Sequence, residues 1–296
     1  MHDTSAALDI EPAFDIRRPA ADGPCTPLVF ASPHSGRLYP ADMRASARLP
    51  GGAVRRSEDA LVDRLLESAP RHGCAVIAAR YARAYIDVNR EPYELDASMF
   101  SDELPDYARA RTARVAAGLG SIARIVAEGQ EIYDRKLTFA EAELRVERVH
   151  RPYHAALSGL IAEARAKAGA AVLIDWHSMP AAATAGPGPA HGAQMVLGDR
   201  YGAACAPRLT QAVERELQAM GYRTARNAPY AGGHTTEFYG RPAEGVHALQ
   251  IEISRSLYLD EASMAPSAGF KRLARDLDRL FVVLARVTQT LLTPHI

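Results

Sequence analysis

Two histidines follow apolar runs at points where a side chain can act outside the core. His34 lies in the turn after the run of residues 27–32, and His177 directly follows the run of residues 171–176. Each run predicts a buried β-strand that ends beside its histidine. Two histidines and a carboxylate from separate loops make up a common set of catalytic zinc ligands, with the fourth position left for water. Bound zinc lowers the pKa of that water towards ~7 and polarises a carbonyl group, which is the chemistry of hydrolysis.

The carboxylate of such a set has two candidates that are neighbours in the sequence. Glu58 and Asp59 follow Ser57, which can cap a predicted helix whose apolar residues share one face. Helical phase slightly favours Glu58 as the acid on the inward face. Acidic residues also stabilise the first turn of a helix without any metal. The residues alone therefore leave both acids open as ligands.

Other polar residues border the remaining apolar runs: Arg83, Asn89, Arg90 and Glu252. Loops that leave the carboxyl ends of the strands of an open α/β sheet converge, so we expect these side chains to meet the histidines. Arg83 can stabilise a tetrahedral oxyanion beside a metal. Asp175 precedes His177 by two positions and therefore points to the same side of a strand, where it can orient the histidine ring.

The elements that must position these residues alternate between β-type runs and helical patterns. Strands are expected at residues 27–32, 74–79, 84–88, 171–176, 193–197, 222–226 and 246–254. Helices are expected from residue 57, over most of residues 100–168 with a break near Pro152, and at residues 201–220 and 270–292. Residues 180–192 predict a loop that can act as a mobile lid, and residues 232–240 predict a polar turn. The alternation indicates a mainly parallel sheet covered on both faces.

Length and composition suit a globular protein that acts on small molecules. The chain has 296 residues, of which 48% are hydrophobic and 24% charged. Residues 1–26 lack periodicity and predict a loosely ordered N-terminal arm, which leaves residues 27–296 as a single catalytic domain. Lys plus Arg equals Asp plus Glu at 35 each, so the net charge does not indicate a nucleic-acid or anionic-membrane partner.

Cysteine usage and hydropathy bear on the compartment. Cys25, Cys74 and Cys205 have unrelated spacings and predict free thiols in a reducing environment. No apolar stretch approaches the ~18 residues that a membrane span requires. We therefore expect a cytoplasmic monomer or small homo-oligomer that binds neither membrane nor nucleic acid.

A further histidine pair has the spacing of a metal site. His150 and His154 are four residues apart on a predicted helix and face the same way. No glutamate lies between them, and Pro152 interrupts the helix. We interpret the pair as packing or surface residues, and His191, His234 and His247 likewise carry no strong signal.

Several short blocks resemble, in order, the N-formylglutamate amidohydrolase family. They are SPHSG at 32–36, SEDALVDRL at 57–65, AYIDVNREP at 84–92, YHAAL at 153–157, DWHSM at 175–179, GGHTTEFYG at 232–240 and QIEIS at 250–254. The resemblance implies a fold similar to that of zinc carboxypeptidases and aspartoacylase-type deacylases. That fold is a three-layer α/β/α sandwich around a mixed, mainly parallel twisted sheet of the phosphorylase/hydrolase-like kind.

The resemblance also implies which residues bind the metal. His34 and His177 match its two zinc histidines, and Asp59 stands where the family block places an acid, with Glu58 kept as the alternate. Related exopeptidases carry a carboxylate three residues after the first histidine, where this chain has Arg37. The acidic ligand must therefore come from elsewhere, and Asp59 is the prediction.

The remaining site residues take roles by the same resemblance. Glu252 matches a general base that takes a proton from the attacking water and passes it to the leaving amine. Asn89 and Arg90 match a pair that binds the substrate carboxylate, which implies an acidic substrate. Thr236 and Tyr239 can contribute further hydrogen bonds.

The activity implied is that of a zinc-dependent amidohydrolase with one zinc per chain. Its expected reaction is cleavage of N-formyl-L-glutamate to formate and L-glutamate, which completes one route of histidine degradation. Two alternatives stay open: a related N-acyl amino acid deacylase or carboxypeptidase, and a non-catalytic protein that binds an acidic ligand. Glu252 argues against the second, because binding alone requires no base.

Overall fold

The computed structural model describes residues 11–49, 51–126 and 129–292. Its strands are β1 (Phe14–Arg17), β2 (Leu28–Ser32), β3 (Ala75–Ala79), β4 (Ala171–Met179), β5 (Met195–Gly198), β6 (Thr224–Arg226), β7 (Val246–Ser254), β8 (Leu259–Asp260) and β9 (Ala265–Pro266). Its helices are α1 (Ala41–Ala45), α2 (Gly51–Val54), α3 (Val62–Leu65), α4 (Ala113–Ala116), α5 (Phe139–Arg145), α6 (Arg151–Ala168), α7 (Pro207–Ala219), α8 (His234–Tyr239) and α9 (Phe270–Leu292). A π-helical segment, Val146–His150, joins α5 to α6.

Within these ranges, seven strands form one mixed sheet in the order β1-β3-β2-β4-β7-β5-β6. Strands β3, β2, β4 and β7 are parallel, whereas β1 runs antiparallel to β3 and β5 runs antiparallel to β7. Strands β8 and β9 form a separate antiparallel pair. The expected mixed, mainly parallel sheet is confirmed. Its long central strands, β4 and β7, are buried along their whole length.

Helices cover both faces of the sheet. Alternate residues of β2 show this, since Val29 and Ala31 pack in the core on the α6 side, while Leu28 and Phe30 pack in the core on the α7 and α9 side. The three-layer arrangement is therefore confirmed. It follows from strands that are apolar on both faces and from α9, whose apolar residues lie along one side.

An aromatic cluster fixes the central strand beneath the site. Trp176 is fully buried, and its ring centroid lies 5.5 Å from that of Phe30 and 5.8 Å from that of Phe281. Because successive side chains of a strand alternate, the buried Trp176 directs Asp175 and His177 to the opposite face. Aromatic pairs of this kind contribute about 0.5–1.5 kcal/mol beyond their area burial.

The prediction that a helix begins at residue 57 is wrong. Ser57 ends a 3-10 turn, Arg55–Ser57, and its hydroxyl donates to the carbonyl of Val54 at 2.8 Å instead of capping a helix. Leu61 then adopts a left-handed conformation with φ of 65° before the short helix α3 begins. Glu58 and Asp59 consequently lie in a connecting segment, so helical phase does not decide which of them faces the site.

Two further elements differ from the prediction. Residues 84–88 form turns instead of a strand, and the backbone N–H of Asp87 donates to Ser121 at 2.7 Å. The described residues of 100–126 and 129–138 are mostly irregular, with α4 as their α-helix, although their composition favours helix. Their backbone groups pair with distant loops, as in the bonds of 2.9 Å from Ser101 to Leu137 and 2.7 Å from Ser121 to Glu94.

The interruption of the long helix near Pro152 is confirmed. The π-helical segment immediately precedes α6, and the N–H of Arg151 reaches back five residues to the carbonyl of Val146. Proline has no N–H and clashes with the carbonyl four residues earlier, so a locally wider turn relieves the conflict. The C-terminal elements β7 and α9 have the predicted bounds.

Smaller differences concern the ends of the chain and two loops. Part of the predicted loose arm forms β1 at the sheet edge, while residues 1–10 of that arm lie outside the described residues. Residues 232–240 contain α8 instead of a turn, and α7 begins at Pro207, later than expected. Residues 180–192 include a 3-10 turn, Ala181–Thr184, and their action as a lid stays a prediction.

Helix hydropathy and the state of the cysteines bear on the environment of the protein. In the described part of the chain, no helix combines the length and the apolar character needed to cross a membrane. Cys25, Cys74 and Cys205 are free thiols, as predicted, and Cys25 is exposed.

Candidate metal centre and active-site cavity

The candidate site lies at the carboxyl ends of the parallel strands, where loops converge. His34 comes two residues after β2, while His177 and Glu252 occupy neighbouring positions in the register of β4 and β7. The turn after His34 requires Gly36, because a Cβ there would lie 2.1 Å from the carbonyl oxygen of Tyr81. This close approach joins the turn to the segment that carries Arg83 and Asp87.

His34, Asp59 and His177 form a buried group whose ligand atoms all lie within 4.8 Å of one another. Asp59 Oδ2 is 3.0 Å from His177 Nδ1 and 3.4 Å from His34 Nδ1. The backbone N–H of Asp59 donates to the carbonyl of His34 at 2.9 Å, which fixes their separation. Among the described residues, His34 Nδ1 is a buried nitrogen without a hydrogen-bond partner. Two imidazole nitrogens and one carboxylate fit zinc well.

Each histidine is held on its other nitrogen by a carboxylate. His34 Nε2 lies 2.6 Å from Asp87 Oδ1, and His177 Nε2 lies 2.9 Å from Asp175 Oδ2. Carboxylate partners of this kind orient a metal-binding imidazole. Here they leave Nδ1 of each histidine free to face Asp59 and the candidate metal position. Asp175 thus lies where the sequence placed it, whereas Asp87 was missed. Its signal was available, since a buried acid within an apolar run needs a partner.

The two adjacent acids, Glu58 and Asp59, lie in different surroundings. Glu58 accepts hydrogen bonds from the Tyr39 hydroxyl at 2.7 Å and from Arg55 Nε at 3.1 Å, so its carboxylate is directed away from the histidines. Burial alone would raise the pKa of Asp59, but a hydrogen bond with His177 and the proximity of His34 hold that pKa well below its usual value. The structure therefore brings Asp59, and not the alternate Glu58, to the histidines.

Glu252 is a carboxylate suited to proton transfer. Burial, opposed by His177 and reinforced by Asp59, raises the pKa of Glu252 to about 7. Its Oε1 accepts a hydrogen bond of 2.9 Å from Gln250, whose own oxygen accepts one of 2.8 Å from the backbone of Gly233. A carboxylate with a pKa close to neutrality can accept and release a proton at ordinary pH.

These residues line a cavity of about 660 Å³. Five arginines contribute to its wall: Arg56, Arg83, Arg90, Arg114 and Arg255. A more apolar section is formed by Leu119, Ala123, Ile125 and Val126. The concentration of guanidinium groups favours an anionic ligand, and the carboxylates near the histidines favour a cation beside it.

Arg83 and Arg90 both line this cavity, as the prediction requires. Arg83 Nη2 donates to Asp87 Oδ2 at 2.6 Å, while its side chain stays 23% exposed. Arg90 donates from Nε to the carbonyl of Leu119 at 3.1 Å and from Nη1 to the carbonyl of Asn89 at 2.8 Å. Burial lowers the pKa of Arg90, opposed by the charge of Asp87. Arg90 is thus held by neutral acceptors.

Asn89 lies at the site but its amide is already engaged. Nδ2 lies 3.2 Å from Asp175 Oδ2 and 3.0 Å from His177 Nε2, and Oδ1 accepts the backbone N–H of Thr235 at 2.8 Å. Asn89 also lines the cavity, and its predicted contact with a substrate carboxylate stays a prediction. The amide joins the carboxylate of Asp175 to the start of α8.

Thr236 and Tyr239 lie apart from the cavity. Thr236 is fully buried and packs beneath Gly232, where an added Cβ would come within 2.9 Å of its hydroxyl oxygen. Tyr239 makes its hydrogen bonds with His154, 2.9 Å from Nδ1, and with Ser158. Both residues are buried because the polar block folds as a helix, and their expected substrate contacts stay predictions.

Further cavity residues escaped the sequence reasoning, among them Arg114, Ser178, Tyr230, Gln250 and Arg255. Ser178 and Gln250 lie within blocks that were recognised, and Arg255 immediately follows β7, so position along the strands was their signal. No feature of the sequence pointed to Tyr230.

The fold and the site define a hydrolytic enzyme whose buried histidine–aspartate–histidine group suits a divalent metal. The family model described as N-formylglutamate amidohydrolase matches residues 26–259, and the chain belongs to that family.

Known proteins resemble the chain over most of its length. It is 30% identical over 277 residues to the N-formylglutamate deformylase of Pseudomonas putida. The aligned region covers 90% of this chain and 92% of that protein. It is 31% identical over 246 residues to the N-formylglutamate deformylase of Pseudomonas aeruginosa, covering 79% and 83% of the two chains. The crystal structure of N-formylglutamate amidohydrolase from Ralstonia eutropha superposes with a TM-score of 0.89 at 40% identity, covering 95% of this chain and 99% of that chain.

Proposed function

We propose that this enzyme hydrolyses N-formyl-L-glutamate to formate and L-glutamate, with one zinc ion held by His34, Asp59 and His177. The observation that carries the proposal is the buried histidine–aspartate–histidine group at the wall of an arginine-rich cavity. The relatives named N-formylglutamate deformylase support the substrate. The ligand types favour zinc over magnesium or calcium, which prefer all-oxygen sites.

Bound zinc would supply Lewis-acid polarisation of the formyl carbonyl and a lowered pKa for a water molecule. Glu252 takes the proton of the water that attacks the formyl carbon. As the C–N bond breaks, Glu252 returns that proton to the departing nitrogen, which becomes the amino group of glutamate. Its pKa of about 7 suits both transfers, because neither protonation state is strongly disfavoured at neutral pH.

Arg83 is proposed to stabilise the negative charge that develops on the formyl oxygen. Its guanidinium lines the cavity and is fixed by Asp87, the same carboxylate that holds His34. A donor held in place before the reaction stabilises charge without reorganising, which is the basis of oxyanion stabilisation. Asp175 and Asp87 are proposed to orient His177 and His34.

Arg90 is proposed to bind a carboxylate of the substrate, with Arg114 as a second cation of the same cavity. The hydrogen bonds described for Arg90 go to neutral carbonyl oxygens, so its charge is not offset by a hydrogen-bonded acid. Arg114 Nη1 is 3.8 Å from Glu94, a loose ion pair. Two guanidinium groups suit a substrate with two carboxylates. Asn89 is proposed to position Asp175 and α8, in addition to the substrate contact expected from the sequence.

The compartment and the assembly are proposals as well. We propose a cytoplasmic enzyme, which its three free thiols support. We further propose that residues 27–296 act as one catalytic domain, as a monomer or a small homo-oligomer without nucleic-acid or membrane partners.

A substrate panel tests the proposed specificity. Zinc-loaded protein should cleave N-formyl-L-glutamate with a higher kcat/KM than N-acetyl-L-glutamate, N-succinyl-L-glutamate or N-formyl-L-glutamine. N-formyl-L-glutamine is the matched control, because it differs only in its side-chain carboxylate. Preference for another acyl group would indicate a related deacylase. Binding of the panel without hydrolysis would indicate the non-catalytic alternative.

A further inference from the structure

The two carboxylate oxygens of Asp59 face different groups. Oδ2 lies 3.0 Å from His177 Nδ1 and 3.4 Å from His34 Nδ1. Oδ1 accepts a hydrogen bond of 3.1 Å from the Ser178 hydroxyl and lies 3.4 Å from Arg255 Nη2. One oxygen is thus directed at the candidate metal position, and the other is turned towards a second pair of donors.

Arg255 is a buried guanidinium, 6% exposed, that joins three segments of the chain. Its Nε donates to the Ser178 hydroxyl oxygen at 3.1 Å, which ties the end of β7 to the end of β4. Nη1 donates to the carbonyl of Arg56 at 3.1 Å, and Nη2 donates to the carbonyl of Glu58 at 2.7 Å. The segment that carries Asp59 is therefore held by the same side chain that approaches its carboxylate.

The arrangement has an electrostatic reason. A buried guanidinium is stable only when its donors are satisfied and its charge is compensated. Asp59 is the nearer of its described acidic partners, since the other, Glu261, lies 4.0 Å away. A carboxylate held through Oδ1 by two donors cannot rotate freely, and the donors compete with any cation for that oxygen.

We propose that Arg255 and Ser178 form a clamp on Asp59 Oδ1 that makes Asp59 a ligand through Oδ2 alone and sets the metal affinity of the site. The inference rests on the proposed metal-binding role of His34, Asp59 and His177. Arg255 and Ser178 are positioning residues, because they act through Asp59.

The clamp predicts specific changes in zinc affinity. Ser178→Ala removes one donor to Oδ1 with little change in volume, and Arg255→Lys removes the planar fork. Each should weaken zinc binding by about 10–100-fold, the usual effect of removing a group that orients a metal ligand. Competition between apo-protein and a chromophoric chelator measures the affinity directly. X-ray absorption of the zinc-loaded variants should show a higher oxygen coordination number than in the parent protein.

A matched control and a rescue separate positioning from general destabilisation. Arg145 is also buried and also donates to a main-chain carbonyl, that of Tyr85 at 3.0 Å, but it forms no bond with Asp59. Arg145→Lys should lower thermal stability and leave zinc affinity unchanged. Added guanidinium ion should partly restore zinc affinity to Arg255→Ala, whereas urea at the same concentration should not.

The outcomes distinguish the clamp from the metal site itself. One outcome is a parent protein that binds one zinc while the folded Ser178→Ala and Arg255→Lys variants bind it with unchanged affinity. That result overturns the clamp and leaves the metal site in place. Parent protein that binds no zinc overturns the metal site and the clamp together. Weakened affinity in both variants, with the Arg145→Lys control unaffected, supports the clamp.

Discussion

Asp59 and Asp87 keep their negative charge in buried positions because each lies against a cationic or hydrogen-bonding partner. Burial would raise the pKa of Asp87, but Arg83 and His34 outweigh it and hold that pKa well below the usual value. A hydrogen bond with His177 and the proximity of His34 have the same effect on the pKa of Asp59. Carboxylates that are already ionised and oriented need little rearrangement to receive a cation, which is consistent with the proposed metal binding.

Asp59→Asn and Glu58→Gln test which acid binds the metal. Asp59→Asn should reduce bound zinc from one per chain to nearly none, because the anionic ligand is lost. Glu58→Gln should retain zinc, because Glu58 pairs with Tyr39 and Arg55 and does not belong to the histidine–aspartate–histidine group. Zinc content after dialysis measures both. The reverse pattern would assign the ligand to Glu58.

Glu252→Gln separates catalysis from metal binding. The variant keeps the size of the side chain and its neighbour Gln250 but cannot take a proton from water. We expect zinc content equal to that of the parent protein and a fall in kcat of about 10²–10⁴-fold, the usual contribution of a general base. Unchanged turnover in the zinc-loaded variant would remove Glu252 from the mechanism.

At the scale of elements, α6 and the π-helical segment before it hold the loop that carries Asn89 and Arg90. His150 Nε2 lies 2.9 Å from the carbonyl oxygen of Arg90, and His154 Nε2 lies 2.7 Å from that of Val88. Both rings donate to main-chain oxygens, and these two carbonyls flank Asn89. The i, i+4 histidine pair therefore holds the loop that carries Asn89 and Arg90, in line with its interpretation as packing residues.

Three histidines, two in the π-helical segment and α6 and one at the start of α8, predict how stability depends on pH. Burial is the main cause that lowers the pKa of His150, His154 and His234 to about 4. In the unfolded chain a histidine has a pKa of about 6.5, so between about pH 6.5 and 4 the unfolded chain binds more protons. Glu252, whose pKa is raised to about 7, acts in the opposite direction, but it is one group against three. The free energy of unfolding of the metal-free protein should therefore fall as pH decreases through that window.

Urea unfolding at a series of pH values measures this effect, and His154→Gln provides the comparison. Glutamine keeps an amide N–H for the carbonyl of Val88 and does not ionise, so its pH dependence should be shallower than that of the parent protein. Equal slopes for the two proteins would show that His154 does not contribute to the acid sensitivity.

Elements that depend on local sequence were predictable, and elements that depend on distant partners were not. The apolar run of β7 and the amphipathic pattern of α9 define their own bounds. The run of residues 84–88 is also apolar and β-type in its sequence, but it forms turns instead of a strand. Its Asp87 is hydrogen-bonded to His34, a partner far away in the sequence. In the site, His34 and His177 were visible at the ends of strands. The bonds of Asn89 and Arg255 depend on residues far away in the sequence, which no local pattern reveals.

At the scale of the whole molecule, the sheet brings the three proposed metal ligands from separate segments to one position. His34 follows β2, His177 lies in β4, and Asp59 lies in the segment between β2 and β3. In the unfolded chain these residues are far apart, so an ion that binds all three stabilises the folded state alone.

Zinc should therefore raise the thermal stability of the parent protein. At a free zinc concentration about 100-fold above Kd, the expected gain in the free energy of unfolding is about 2.7 kcal/mol. Thermal melts with and without a chelator measure it, and Asp59→Asn is the control that should show no shift. Identical melts of the parent protein in the two conditions would contradict a folded-state metal site.

Formate release from N-formyl-L-glutamate tests the central claim most directly. Parent protein carrying one zinc per chain should release one formate for each L-glutamate formed. Removal of zinc by a chelator should abolish the reaction, and added zinc should restore it. Folded, zinc-loaded parent protein that releases no formate from this substrate would contradict the proposed function.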